Sequence, residues 1–154
     1  MTNPKDSIVI LMADDDDDDY VLTKKALKES KLLNTLIRVR DGEELLDYLK
    51  EQGAYEGKVN VRPGVILLDL NMPRMDGREA LKALKADPEL CDIPVVVFTT
   101  SKAEEDIYRS YQLGSNSFIT KPVTFENLIS VMKALGKYWF KIVELPHGSG
   151  KSVV

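Results

Sequence analysis

Short, wholly apolar runs alternate along this chain with segments whose apolar residues recur at helical spacing. Residues 8–13 (IVILMA) form the first run, halted by the aspartate run 14–19. A helix is predicted over residues 20–30, with Leu22, Ala26 and Leu27 on one face. Residues 36–40 make a second strand. Asp41 then caps a helix carrying Leu45, Leu46 and Leu49, with Glu44 at capping-box spacing. Residues 53–63 read as a surface loop. Val65–Leu68 is β-branched or apolar throughout and stops at Asp69. Asp76 and Glu79 repeat the cap spacing before a helix with Ala80, Leu81 and Leu84 inward, ended by Asp87-Pro88. Residues 95–98 form a fourth apolar strand. Ser101 and Glu104 make a capping-box pair for a helix ending at Gly114, and Ser117–Thr120 is a short fifth strand. Thr124 caps a last helix with Leu128, Met132 and Leu135 on one side, ending near Gly136.

The pattern is strand then helix, repeated throughout, with no internal repeat and no linker-like stretch. Strands that are apolar on both faces and alternate with helices imply an α/β fold: a parallel sheet covered on both sides. In such a sheet the ligand crevice lies beyond the carboxyl ends of the strands. The residues at those ends are therefore the candidate chemistry. They are Asp14 and Asp15, Asp69, Thr99 and Thr100, and Lys121 followed by Pro122. Hydrophobic folding alone does not call for carboxylates, hydroxyls and an ammonium at one rim.

Converging carboxylates repel by roughly 4 kcal/mol at about 4 Å and an effective dielectric near 20, so such a cluster keeps a proton or takes a cation. Hard oxygen ligands on a shallow rim suit Mg²⁺ or Mn²⁺. A cation, the Lys121 ammonium, the Thr99 hydroxyl and a solvent-facing carboxylate are suited to phosphoryl transfer, with Asp69 as nucleophile.

Composition narrows the classes further. A length of 154 residues fits one domain with a real core, and the net charge of −4 with no basic cluster argues against nucleic-acid binding. Cys91 is the single cysteine, so no internal disulfide forms and no zinc set is present. No apolar stretch is long enough to span a bilayer and residues 1–7 lack a signal-peptide core, so the expected location is the cytoplasm.

Four pieces in order, the acidic pair 14–15, "VILLDLNMPRMDG" at 65–77, "PVVVFTTS" at 94–101 and "FITKP" at 118–122, resemble the response-regulator receiver family over residues 7–137. The resemblance implies a doubly wound, flavodoxin-like sheet of strand order 2-1-3-4-5. It implies that Asp69 is the phosphoacceptor, that Asp15 binds Mg²⁺ directly, that Asp14 acts through water, and that Asn71 coordinates through its carbonyl. Thr99 and Phe118 would form the switch, Lys121 would pair with the phosphate, and Pro122 would follow a cis peptide. The implied partners are a histidine kinase, of phytochrome type by resemblance to that subfamily, and a downstream protein target.

Two residues depart from the family pattern: Thr100 is larger than the usual Ala or Gly, and Ser101 offers no strong base. Both bear on hydrolysis rate. Residues 1–6 are expected to be a flexible start and 138–154 an extension, whose aromatic part (YWFKIVELP) either packs on its own domain or makes a homodimer contact. Asp16 to Asp19 read as a solvated helix start. A calcium loop counted from Asp14 fails, because its last ligand position falls on Lys25. His147 and the "HGSGKS" echo of a nucleotide loop sit in the tail without the necessary strand-loop-helix frame. Two other functions share parts of this pattern. A haloacid-dehalogenase-type phosphatase also uses an Asp nucleophile after a strand, but wants an acid where Asn71 stands. A pseudo-receiver scaffold would dispense with phosphorylation altogether.

Overall fold

The computed structural model describes residues 8–58, 60–100 and 103–140. Five parallel strands, β1 (Ile10–Ala13), β2 (Leu36–Val39), β3 (Val65–Leu68), β4 (Val95–Thr99) and β5 (Ser117–Thr120), pair in the order β2-β1-β3-β4-β5. Between and after them run α1 (Asp17–Glu29), α2 (Gly42–Lys50), α3 (Gly77–Ala86), α4 (Glu104–Gln112) and α5 (Phe125–Leu135).

The apolar runs are explained by burial on both faces. Leu11, Ala13, Ile66, Leu68, Val95 and Val97 point into a core closed by Leu45 and Tyr48 of α2 and by Ala80, Leu81 and Leu84 of α3. Their neighbours Ile10, Met12, Val65, Leu67, Val96 and Phe98 point the other way, against Ala26 and Leu27 of α1 and Leu128, Met132 and Leu135 of α5. Burying each such aliphatic side chain contributes about 2 kcal/mol, and the one polar residue in the central strands, Thr99 at the end of β4, is hydrogen-bonded to Asp69. The edge strands β2 and β5 are only partly buried, and they carry Arg38 and Ser117.

Helix starts follow the cap chemistry. Asp76 accepts from the backbone N–H groups of Arg78 and Glu79 while Glu79 accepts from the Asp76 N–H, a complete capping box. Thr124 caps α5 through the Asn127 N–H. Asp41 caps α2 through the Glu44 N–H, but Glu44 reaches one residue further back than a capping box, to the Arg40 N–H at 2.7 Å. Three expectations need correction. α1 starts at Asp17, because Asp16 accepts from the N–H groups of Asp18 and Asp19 and nucleates the turn early. Thr23, three residues before Ala26 and four before Leu27, joins them in the core, and Leu22 is exposed. α4 starts at Glu104 behind Ala103, which has no side-chain cap, while Ser101 lies outside the described residues. Residues 1–7, most of the aromatic extension, His147 and the glycine-rich tail motif also lie outside them. α5 ends at Gly136, from which a π-helical turn, Gly136–Phe140, continues the chain.

In this strand order the chain leaves β1 toward β2 on one side, while β3 lies on the other. The connections that leave the carboxyl ends of β1 and β3 therefore diverge, opening a crevice at that point.

Candidate functional site

The parallel ladder runs one residue past the strands and thereby fixes where the rim residues stand. The Asp14 N–H donates to the Val39 carbonyl at 3.0 Å, the Asp69 N–H to the Ala13 carbonyl at 3.0 Å, and the Lys121 N–H to the Thr99 carbonyl at 2.8 Å. Asp14, Asp69 and Lys121 are thus held by sheet geometry rather than by loop conformation. Thr99, the last residue of β4, is fully buried.

Their side chains converge. The Thr99 hydroxyl donates to Asp69 Oδ1 at 2.8 Å, and the Asn71 N–H reaches the same oxygen at 3.3 Å. Lys121 Nζ donates to Asp14 Oδ2 at 2.6 Å, to Asp19 Oδ2 at 2.7 Å and to Asp69 Oδ2 at 3.3 Å. Asp14 Oδ1 accepts from the Asp16 N–H at 2.9 Å. Asp14 and Asp69 are buried, whereas Asp15 is exposed and forms the solvent side of the mouth.

Gly77 is required here by close approach. A Cβ at this position would lie 2.1 Å from the Asp69 carbonyl oxygen and 2.7 Å from the Leu70 Cα. Without one, α3 starts hard against the loop that carries Asp69, and the Gly77 N–H donates to the Leu70 carbonyl at 3.0 Å.

The electrostatics are those of an under-neutralised cluster. Burial pushes Asp14 up to about 6, with the Lys121 hydrogen bond and charge opposing the shift. Burial pulls Lys121 down, but its hydrogen bonds to Asp14 and Asp19 and the charges of Asp14 and Asp69 outweigh that and hold it above its usual range. One oxygen each from Asp14, Asp15 and Asp69 lie within 4.8 Å of one another, a hard, anionic donor set that fits a divalent cation of the Mg²⁺ or Mn²⁺ type.

The structure brings together Asp14, Asp15, Asp69, Thr99 and Lys121 by side chain, and Asn71 by backbone. Thr100, the next residue after Thr99, is exposed. Phe118 on β5, partly buried, packs against the α2/α3 core. Pro122 lines a cleft next to Lys121 with Leu22, Val123 and Phe125.

Asp19 is the residue that sequence reasoning missed. Its place in the aspartate run reads as a solvated helix start, yet its carboxylate is on Lys121. The aspartate run does not mark it; only once Asp16 is the cap does Asp19 fall in the first turn, where side chains tilt back toward the helix N-terminus and the strand ends. Asp17 turns the other way, to Arg38 at 2.6 Å and Arg40 at 3.1 Å.

Among the described residues, no helix is long and apolar enough to cross a membrane. The family model of the response regulator receiver domain matches residues 10–133. Response regulator Rcp1 of Synechocystis sp. is 42% identical over 125 residues, covering 81% of this chain and 84% of Rcp1. The crystal structure of the Mn²⁺-bound form of Rcp1 is similar with a TM-score of 0.80 at 40% identity, covering 91% of this chain and 99% of that one. The phosphorylated cyanobacterial phytochrome response regulator RcpA is similar with a TM-score of 0.78 at 40% identity, covering 86% of this chain and 93% of its own. With a family model across most of its length and a relative of that kind at this level of identity, the chain belongs to the response regulator receiver domain family.

Proposed function

We propose that Asp69 accepts a phosphoryl group from the phosphohistidine of a histidine kinase. The observation that carries this reading is the surround of the Asp69 carboxylate: Oδ1 holds the Thr99 hydroxyl and the Asn71 N–H, and Oδ2 faces the Lys121 ammonium. An Asp69 oxygen forms the new O–P bond as the N–P bond of the donor breaks, and the imidazole leaves with the electron pair. Thr99 and Lys121 supply a hydroxyl donor and a positive charge where the phosphoryl oxygens arrive, so stabilisation comes from groups already in position. Asp14, Asp15, Asp69 and the Asn71 carbonyl would hold Mg²⁺, with Asp14 acting through water. Bound there, the cation neutralises phosphoryl charge.

The signal then leaves by protein contact. Thr99 follows the new phosphoryl oxygens, and Phe118, packed beside the α2/α3 core, is the side chain that changes seat as β4 and β5 adjust. RcpA is described as a phytochrome response regulator, and its likeness to this chain supports a phytochrome-type kinase as the donor. A phosphatase reading gains nothing from this geometry, because Asn71 stands where a second acid would act.

The test is incubation with acetyl phosphate and Mg²⁺, followed by intact-mass measurement. The expected result is one phosphoryl adduct on the wild type and none on D69N. An adduct that persists in D69N overturns the assignment. Comparing transfer from a phytochrome-type kinase and an unrelated kinase tests the partner; faster transfer from the unrelated one refutes that part.

A further inference from the structure

We propose that Arg38 is a positioning residue for the metal ligands: from β2 it pins the peptide link between Asp14 and Asp15 and so aims the Asp15 carboxylate into the mouth. The inference rests on the reading of Asp15 as a direct ligand of the cation and goes beyond it, by naming what holds that ligand in place.

An arginine breaks the apolar pattern of the sheet at this point. On β2, Ile37 and Val39 pack toward the α2/α3 core, and Leu36 packs toward the α1/α5 core. Alternation along the strand puts residue 38 on the α1/α5 side, and its register partner on β1 is Met12, buried in that core. The Arg38 side chain is only 12% exposed. A charge so far out of water has to be paired and hydrogen-bonded. Arg38 meets that need in the segment just after β1. Its Nη1 donates to the Asp14 carbonyl at 3.2 Å, its Nη2 donates to Asp17 Oδ1 at 2.6 Å, and its guanidinium lies 5.1 Å from the centroid of the Tyr20 ring. A planar fork can serve both oxygens at once while resting on the ring.

Asp14 is therefore held at three points. Its N–H is in the ladder to Val39, its Oδ1 accepts from the Asp16 N–H, and its carbonyl accepts from Arg38. That carbonyl shares a rigid plane with the N–H of Asp15, so fixing it fixes the direction in which Asp15 leaves the strand end. Asp15 has little else to aim it. Its side chain is exposed, and no hydrogen bond or ion pair holds it among the described residues.

Charge and position make opposite demands here, which separates them. Arg38 is a positive group beside an acidic mouth, so by charge alone its loss tightens cation binding; by position its loss weakens it. The experiment measures Mn²⁺ affinity by calorimetry in wild type, R38K, R38M, R40M and D15N, with the melting temperature of each metal-free protein reporting folding separately. R38K keeps the charge and loses the fork, whereas R38M keeps the stem and loses both. Each is expected to weaken Mn²⁺ binding about tenfold, the lower end of the range for partners that orient a metal ligand. Arg40 is the control, because it is 57% exposed and reaches Asp17 at 3.1 Å. R40M should stay within about twofold of wild type, the level of a screened surface charge. Unchanged affinity in R38K, tighter binding in R38M, or equal losses in R38M and R40M overturns the proposal, whatever the melting temperatures do. D15N keeps the two failures apart: weaker binding in D15N with none in R38K refutes the positioning role alone, whereas undiminished binding in D15N refutes the ligand reading beneath it.

Discussion

Asp14 carries the sharpest pH dependence at the level of single residues. Its carboxyl is pushed up to about 6 from 3.8 by burial, so the metal-free fold favours its protonated form. That contribution to stability is fully present below 3.8 and is lost as pH rises through about 6. A cation at the site competes with the same proton. Mn²⁺ affinity, measured by calorimetry, should therefore be flat above pH 7 and fall by about tenfold for each unit below about 6, the slope for one displaced proton. D14N should remove that slope. Thr99 offers a second residue-level outcome. T99V keeps the buried shape but deletes the donor to Asp69 Oδ1, and should slow phosphorylation by acetyl phosphate about 10- to 1,000-fold, the range for one lost charge-stabilising donor. Mn²⁺ affinity should change far less.

Among the elements, α3 bears most directly on the site. Its start is fixed twice, by the Asp76–Glu79 capping box and by the absence of a Cβ at Gly77 against the Asp69 carbonyl. D76A should cost about 1–2 kcal/mol in urea denaturation, the usual cost of losing an N-cap. G77A should cost at least as much and also lower Mn²⁺ affinity, because the clash at 2.1 Å is with backbone that leads to Asn71. D76A, by contrast, should leave Mn²⁺ affinity nearly unchanged. These caps were legible in the sequence because a cap and its N–H partner lie within a turn of each other. The start of α1 was not: in an unbroken aspartate run, every residue is an acceptable cap, and only the place where β1 stops selects Asp16. Leu22 and Thr23 differ by wheel position: Thr23 stands three residues before Ala26 and four before Leu27, at the centre of the buried face, whereas Leu22 neighbours only Ala26 and lies at its edge.

For the molecule as a whole, strand ends set in a rigid sheet create a repulsive mouth that the fold must carry. Asp14, Asp19 and Asp69 share the ammonium of Lys121 and Asp15 adds a further carboxylate to the mouth, so a bound cation should stabilise the entire fold. Millimolar Mg²⁺ is expected to raise the melting temperature of the wild type by several degrees and that of D15N by much less, measured by scanning calorimetry. An equal rise in both would show that the stabilisation does not come from this site.

The sequence by itself determined the elements and their caps, and it put Asp14, Asp15, Asp69, Thr99 and Lys121 at strand ends, because apolar runs and cap spacings act between residues a few positions apart. Only the tertiary structure decided which carboxylates share Lys121. Asp19 and Lys121 stand 102 positions apart along the chain, yet 2.7 Å apart in the fold. No local period encodes such a pair. It exists because β1 and α1 are packed beside β3, β4 and β5, and through-space distance, not chain distance, sets the strength of a charge's interactions.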